Sequence, residues 1–135
     1  MNLNQVTLPA HDIPASVAFY RQLGFRLIVS APHYARFECP VGDATFSVHR
    51  VESPLPDSGV VVYFECEDLD ERVAALLRDG IRFVSPPTDE RWLWREARLK
   101  DPAGNLLCLY RAGVNRRHPP WRLDAAVDGS GSEPA

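Results

Sequence analysis

The amino-acid sequence predicts an α+β fold made of two βαβββ modules, residues 3–51 and 60–110. The main observation is an internal repeat. A shift of 56 residues (68 − 12 = 56) carries Asp12 onto Asp68 and keeps a helix cap, an apolar stripe and a terminating glycine in register. The second observation is that the segments around each helical pattern are short, rich in β-branched and aromatic residues, and separated by Gly and Pro. A repeat of this length indicates one supersecondary unit that is used twice.

In the first module, a strand is predicted over residues 4–9, where apolar Val and Leu alternate with polar residues. Asp12 is a suitable N-cap for the helix that follows. Gly24 ends that helix, because glycine readily adopts the left-handed conformation that follows a helix. The remaining segments predict three strands, over 25–30, 33–39 and 44–51.

The second module repeats this order. A strand is predicted over 60–66, and a helix begins at Asp68 and ends at Gly80. The chain after it predicts a strand over 81–84, a break at Pro86-Pro87, and a final hairpin with strands over 92–100 and 106–110. The hairpin turn is Asp101-Pro102-Ala103-Gly104-Asn105, in which Pro fixes φ and Gly supplies a positive φ.

Residues 1–112 are predicted to form a single domain, and residues 113–135 a C-terminal extension. The stretch 53–59 contains two prolines and a glycine and is predicted to link the two modules. Within the extension, residues 128–135 are Gly, Ser, Pro, Ala and acidic residues. That composition cannot support a packed core, so this part is predicted to be disordered.

Composition and charge exclude several classes of function. The chain has 135 residues, of which 45% are hydrophobic and 24% charged, and this is typical of a globular protein with one modest core. A net charge of −3 argues against a nucleic-acid partner, and no apolar run reaches the roughly 20 residues of a membrane span. The N-terminus lacks the pattern of a signal peptide. Three widely spaced cysteines form neither a CxxC motif nor a disulfide framework, so reduced thiols and a cytoplasmic location are predicted.

Three motifs within the two modules resemble one known superfamily. They are Phe19-Tyr20-x-x-Leu23-Gly24-Phe25, Phe64-x-x-Glu67-Asp68-Leu69-Asp70 and Asp101-Pro102-x-Gly104-Asn105. Over residues 3–112 the chain resembles the glyoxalase, bleomycin-resistance and extradiol-dioxygenase superfamily. The resemblance implies that each mixed sheet is concave and that both sheets surround a shared cavity with a small ligand inside. It also implies a homodimer, which would cover exposed sheet edges.

The resemblance also suggests positions for a metal. In metal-dependent members the ligands come from the first and last strands of each module, and they are usually His or Glu. Here these positions fall on Gln5, Val61, Cys108 and either His49 or Ser47. Valine cannot bind a metal, so the pattern favours a metal-free site. If one divalent metal is bound, His49 is expected to hold it, helped by Gln5 or Glu96.

Strand alternation predicts which residues face the cavity. On the last strand, Leu107 and Leu109 fit beneath a helix, which leaves Cys108 and Tyr110 on the other face. The same argument for the other strands gives a face that is unusually polar for an interior, made of Gln5, Thr7, Ser47, His49, Tyr63, Glu65, Trp94, Glu96, Arg98, Cys108 and Tyr110. A buried charge must be paired or must serve a function.

The first functional hypothesis is an enzyme that acts on a small oxygen-rich or aromatic metabolite, as a lyase, an isomerase or a dioxygenase. Its candidate catalytic residues are His49, Glu96 and Arg98, with His49 or Glu96 as general base and Arg98 stabilising an oxyanion. The candidate ligand-binding residues are Gln5, Ser47, Tyr63, Glu65, Trp94, Cys108 and Tyr110.

These residues also have simpler interpretations. His49 could be a structural histidine, Glu96 and Arg98 an ion pair on the sheet, and Cys108 a small apolar residue. The second hypothesis is therefore a binding or sequestering protein of the bleomycin-resistance type, with Tyr63 and Trp94 as stacking walls. A metal enzyme is not expected to tolerate Val61 and Cys108 at ligand positions, whereas a binding protein is. A third hypothesis, a scaffold without a ligand, fits a polar face poorly.

Overall fold

The structure, a computed structural model, describes residues 1–53 and 58–123 of the chain. Most of the predicted linker and the predicted disordered segment 128–135 lie outside the described residues. The chain forms two compact units. The first consists of Met1–Val61 and Lys100–Leu106, and the second of Val62–Leu99 and the chain from Leu107 onward.

The first sheet has four strands around one helix. The elements in chain order are β1 (Gln5–Ala10), α1 (Ile13–Gln22), β2 (Arg26–Ala31), β3 (Tyr34–Glu38) and β4 (Thr45–Arg50). The strand order is β1-β4-β3-β2. β1 is parallel to β4, while the pairs β2–β3 and β3–β4 are antiparallel.

The second sheet repeats this arrangement. Its elements are β5 (Val61–Glu65), α2 (Leu69–Arg78), β6 (Ser85–Asp89), β7 (Arg95–Lys100) and β8 (Leu106–Arg111), followed by a short 3-10 helix (Gly113–Arg116). The strand order is β5-β8-β7-β6, in which each strand takes the place of its equivalent in the first sheet. The predicted α+β fold of two βαβββ modules is confirmed.

The two helices are the most faithful part of the repeat. α2 begins 56 residues after α1 (69 − 13 = 56), and both helices have ten residues. The Asp12 carboxylate accepts a hydrogen bond from the Ala15 N–H at 3.0 Å, as expected of an N-cap. Asp68 occupies the equivalent position without a side-chain cap bond and instead forms an ion pair with Arg72 at 3.8 Å.

The predicted strand over 81–84 and the predicted break at the two prolines were wrong. The strand is β6, which begins at Ser85 and contains Pro86 and Pro87. β6 is an edge strand, where a missing N–H removes no ladder bond on the open side. Its register with β7 shifts between Ser85 and Thr88, where the prolines lie. The repeat consequently lengthens, because β7 begins 61 residues after β3 (95 − 34 = 61).

Each unit has its own apolar core. In the first unit, the buried Tyr20 ring packs against Phe46 with ring centroids 4.8 Å apart and against Phe37 at 5.5 Å. In the second unit, Leu69 and Val73 of α2 and Ala97 and Leu99 of β7 are buried. Because side chains alternate along a strand, the opposite face of each sheet carries the polar residues.

α1 and α2 are both too short to cross a bilayer, and no helix among residues 1–53 and 58–123 is long and apolar enough to do so.

Candidate functional site

The polar face of the second sheet is the face opposite α2. Arg95 of β7 marks the other side, since its guanidinium pairs with Asp70 of α2 at 2.8 Å. Glu96 and Arg98 therefore lie on the face away from α2, and Trp94 just before β7 lies on that face with them. The preceding turn holds Leu93 at a φ of 69°, a left-handed conformation that costs a non-glycine residue about 1–2 kcal/mol.

Glu96 is a buried carboxylate with three hydrogen-bond partners, although its side chain is only 4% exposed. One oxygen accepts from the Trp92 indole N–H at 2.6 Å. The other accepts from Arg98 Nη2 at 3.3 Å and faces the Cys108 thiol at 3.6 Å. The ion pair with Arg98 is thus present, but it is a part-buried pair held by an indole rather than a pair on the sheet surface.

Arg98 extends from this pair toward solvent. Partial burial acts to lower the pKa of Arg98, but the hydrogen bond to Glu96 and the nearby Tyr63, Cys108 and Glu96 raise it on balance. Arg98 is therefore charged at any ordinary pH. A guanidinium has five N–H donors, and those not used by Glu96 and Tyr63 are available to a ligand.

Three aromatic rings lie beside Arg98. Trp94 stacks on Tyr110 with ring centroids 4.6 Å apart and planes inclined by 18°. Tyr63 meets both rings edge-on, at 5.9 Å from Trp94 and 5.6 Å from Tyr110. Tyr110 is buried while Trp94 is half-buried and Tyr63 is 42% exposed, so the cluster presents Trp94 and Tyr63 outward.

Glu65 has a structural role that the sequence did not indicate. One of its carboxylate oxygens accepts from the backbone N–H groups of Ala112 and Gly113, both at 2.9 Å. Arg116 lies 3.8 Å from the other oxygen. Glu65 therefore caps the 3-10 helix, whose Asn115 carbonyl in turn accepts from the Trp94 indole at 3.3 Å. The start of the predicted C-terminal extension is ordered beside the aromatic cluster.

Cys108 is buried, and burial together with Glu96 raises the pKa of its thiol to about 12. The thiolate is the nucleophilic form, so this cysteine is unreactive at neutral pH. Burial, followed by the charge of Glu65, likewise raises the pKa of Tyr110 to about 12. The structure favours the simpler interpretation of Cys108 as a small buried residue.

These two groups predict a loss of stability in alkali. The ordinary thiol value is 9.0 and the folded value is about 12, so stability is complete below the first and is lost as the pH rises toward the second. We expect the free energy of unfolding, measured with urea, to fall above pH 9.0. Cys108→Ala should make that fall less steep by up to about 1.4 kcal/mol per pH unit. An equally steep fall in Cys108→Ala would contradict the assignment to this thiol.

The polar face of the first sheet is built around Ser47, whose side chain is fully buried. Gln5 Nε2 donates to Ser47 Oγ at 2.9 Å, and Thr7 Oγ1 lies 2.8 Å from the same atom. The Gln5 side-chain oxygen accepts a hydrogen bond from Thr45. His49 lies two residues beyond Ser47 on the same face and is exposed. The two predicted groups of site residues thus lie in different units, with Gln5, Ser47 and His49 in the first and the others in the second.

Sequence reasoning missed two residues on this face, Tyr34 and Arg36 of β3. They pair across the sheet with His49 and Ser47 respectively, and Arg36 Nε donates to the Tyr34 hydroxyl at 2.8 Å. Hydrogen bonds from Ser47 and from Arg36 lower the pKa of Tyr34, against a small effect of burial. The signal was present in the sequence, since Tyr34 and Arg36 alternate with apolar Ala35 and Phe37.

The residues at the inherited ligand positions do not fit a metal centre. Val61 has no donor atom, the Cys108 thiol is held in its protonated form, and Gln5 is engaged with Ser47 and Thr45. Within the two described stretches, no group of three or more His, Cys, Asp or Glu side chains could hold a metal ion. His49 alone offers one good donor.

Fold and sequence identify the class of protein. The model of the Glyoxalase/Bleomycin resistance protein/Dioxygenase superfamily matches residues 2–109, and the chain belongs to this superfamily. No curated protein matches the chain. Location in the cytoplasm and formation of a homodimer stay predictions.

Solved structures of the same fold differ in what they do. A glyoxalase/bleomycin resistance protein/dioxygenase from Nocardioides is 25% identical with a TM-score of 0.72, and the match covers 92% of this chain and 90% of that chain. A bleomycin-binding protein complexed with bleomycin is 24% identical with a TM-score of 0.68, over 82% and 98%. A lactoylglutathione lyase from Agrobacterium tumefaciens is 20% identical with a TM-score of 0.69, over 84% and 95%. The last two likenesses concern the fold alone.

Proposed function

We propose that the chain is a small-molecule binding protein whose ligand is a flat aromatic compound with an anionic group. The observation that carries this proposal is the stacked pair of Trp94 and Tyr110 beside the charged Arg98, all on the polar face of the second sheet. An aromatic wall next to a fixed cation suits a planar ring that bears a carboxylate, a phenolate or a similar group.

The aromatic part of the site is held in place before any ligand arrives. Trp94 is fixed by stacking on Tyr110 and by its indole hydrogen bond to Asn115. Tyr63 closes one side edge-on. A ligand that stacks on rings already in position avoids the cost of ordering them, and this raises its affinity.

The cation is also held in place. Glu96 receives hydrogen bonds from both Trp92 and Arg98, so the guanidinium is oriented by a buried carboxylate. Because an Arg–carboxylate contact with a ligand would be charge-assisted, Arg98 is expected to select anionic over neutral ligands.

Binding is better supported than catalysis on this face. Both oxygens of Glu96 are engaged, which makes it a poor general base, and Cys108 is protonated. The second candidate function is an enzyme centred on His49, whose imidazole is exposed and titrates near neutral pH in its ordinary form. A protein of the same fold binds bleomycin, which is consistent with a binding role.

The test is calorimetric titration with naphthoate and with the neutral naphthalenemethanol. Trp94→Ala is expected to raise the dissociation constant for naphthoate roughly tenfold or more, because a stacking contact is worth about 1–3 kcal/mol. Arg98→Gln should remove the preference for naphthoate over the alcohol. Trp121→Ala is the matched control, since Trp121 is half-buried outside the sheet.

Equal naphthoate affinity in a folded Trp94→Ala protein would contradict the binding proposal. Conversion of either compound to a product, lost in His49→Ala, would favour the enzyme.

A further inference from the structure

The hydroxyl of Tyr34 is an unusual group on the polar face of the first sheet. Ser47 beneath it is buried and has a full set of partners, because a hydroxyl can accept two hydrogen bonds and donate one. Gln5 donates to Ser47, and Ser47 is hydrogen-bonded to Tyr34, which assigns Thr7 as the second donor to Ser47. The Ser47 proton is thus directed at the Tyr34 oxygen.

The same oxygen accepts a second hydrogen bond, from Arg36 Nε at 2.8 Å. With Ser47 and Arg36 both donating to it, the Tyr34 oxygen has no acceptor position left, and only its own proton remains for an outside group. Tyr34 is half-buried, so this proton is within reach of a ligand. The phenol is therefore arranged as a donor.

Arg36 is a cation without an acidic partner among the described residues. Its Nε is used by Tyr34, and its guanidinium carbon lies 5.4 Å from the centre of the Tyr34 ring. The carboxylate nearest along β3, Glu38, pairs with Arg26 at 3.6 Å instead. Both Nη groups of Arg36 are consequently left to face a ligand in the end-on manner that suits an oxyanion.

His49 completes the group. It pairs directly with Tyr34 across β3 and β4, so the two side chains share one face with their Cβ atoms roughly 5 Å apart. The imidazole is exposed and carries at least one N–H donor in either charge state. On the other side of β3, β2 places Val29, Ser30 and Ala31, none of which is charged.

We propose that Tyr34, Arg36 and His49 form an oxyanion-binding site that takes a carboxylate or phosphate group of a small ligand. Each contributes a donor, and no carboxylate of β2, β3 or β4 is paired with them. This site lies in the first unit and is independent of the aromatic cluster in the second. Its role is binding and no bond is made or broken.

The test uses inorganic phosphate and acetate as probes, each compared with sodium chloride at equal ionic strength. The readout is the phenolate absorbance of Tyr34 during a pH titration. The pKa values of Tyr20, Tyr63 and Tyr110 are all raised while that of Tyr34 is lowered, so Tyr34 titrates first. Tyr34→Phe confirms the assignment by removing this first step.

A bound oxyanion disfavours the nearby phenolate, so the Tyr34 midpoint should rise by about one pH unit at saturating phosphate. Arg36→Gln is expected to remove this rise and to weaken phosphate binding, followed by equilibrium dialysis, roughly tenfold. Arg50→Gln is the matched control, because Arg50 is exposed on the opposite face of β4 and should leave the rise intact.

The two probes separate the possible sources of the oxyanion. A rise with phosphate alone identifies a phosphate site, and an equal rise with acetate identifies a site that takes carboxylates as well. A midpoint that is the same in chloride, phosphate and acetate overturns the proposal. So does a rise that Arg50→Gln abolishes as completely as Arg36→Gln, because the effect would then follow net charge alone.

Discussion

Asp101→Ala is expected to lower the free energy of unfolding by about 3 kcal/mol, since it removes a buried, hydrogen-bonded charge. The Asp101 carboxylate is 4% exposed and accepts four hydrogen bonds. They come from the Tyr20 hydroxyl at 2.6 Å, the Asn105 side chain at 2.8 Å, and the backbone N–H groups of Asn105 at 2.9 Å and Ala103 at 3.0 Å.

The loss is large because several donors lose their acceptor together. Tyr20 lies in the aromatic core of the first unit, and burial, followed by Asp101, raises its pKa far above the usual range. Asn105 also donates to the Pro9 carbonyl at 2.8 Å, so the turn is tied to the end of β1. Without the carboxylate, the Tyr20 hydroxyl would be buried with no partner to accept its proton.

Equilibrium unfolding in urea measures this effect. Tyr20→Phe removes one of the four hydrogen bonds and should cost less, about 1–2 kcal/mol. Asp89→Ala is the matched control, because its carboxylate is 82% exposed in an ion pair with Arg95 and should contribute less than about 1 kcal/mol. If Asp101→Ala were no more destabilising than Asp89→Ala, the buried network would not stabilise the fold.

Glu96→Ala is expected to cost about 2–3 kcal/mol of stability and to weaken ligand binding at the same time. The Trp92 indole N–H and the Arg98 guanidinium would lose their shared acceptor. Arg98 is half-exposed and can turn to water, whereas Trp92 depends on the acceptor for its orientation. Loss of the carboxylate should therefore disorder the cationic side of the proposed ligand site.

Urea unfolding and naphthoate titration of the same variant measure the two effects. Glu96→Gln keeps an acceptor for Trp92 and should retain more stability than Glu96→Ala. Glu67→Ala is the surface control, since Glu67 is exposed at the end of β5. A Glu96→Ala protein with unchanged stability and unchanged naphthoate affinity would show that the carboxylate neither supports the fold nor positions Arg98.

The repeat and the helices could be predicted from the sequence because their signals are local. A capping residue, an apolar stripe and a glycine with positive φ are set by neighbouring residues, and both helices begin and end where this pattern places them. Strand alternation is equally local, and it separated Ala97 and Leu99 from Glu96 and Arg98 correctly. These features require no knowledge of which strands become neighbours.

The tertiary structure decided everything that depends on a distant partner. Pro86 and Pro87 are acceptable in β6 only because that strand lies at the sheet edge. Asp101 was predicted only as part of a turn, but Tyr20, 81 residues away, makes it a buried acceptor. Tyr34 is a donor only because β4 brings Ser47 beside it. A hydrogen bond between strands depends on register, and register is fixed by packing of the whole sheet rather than by any short stretch of sequence.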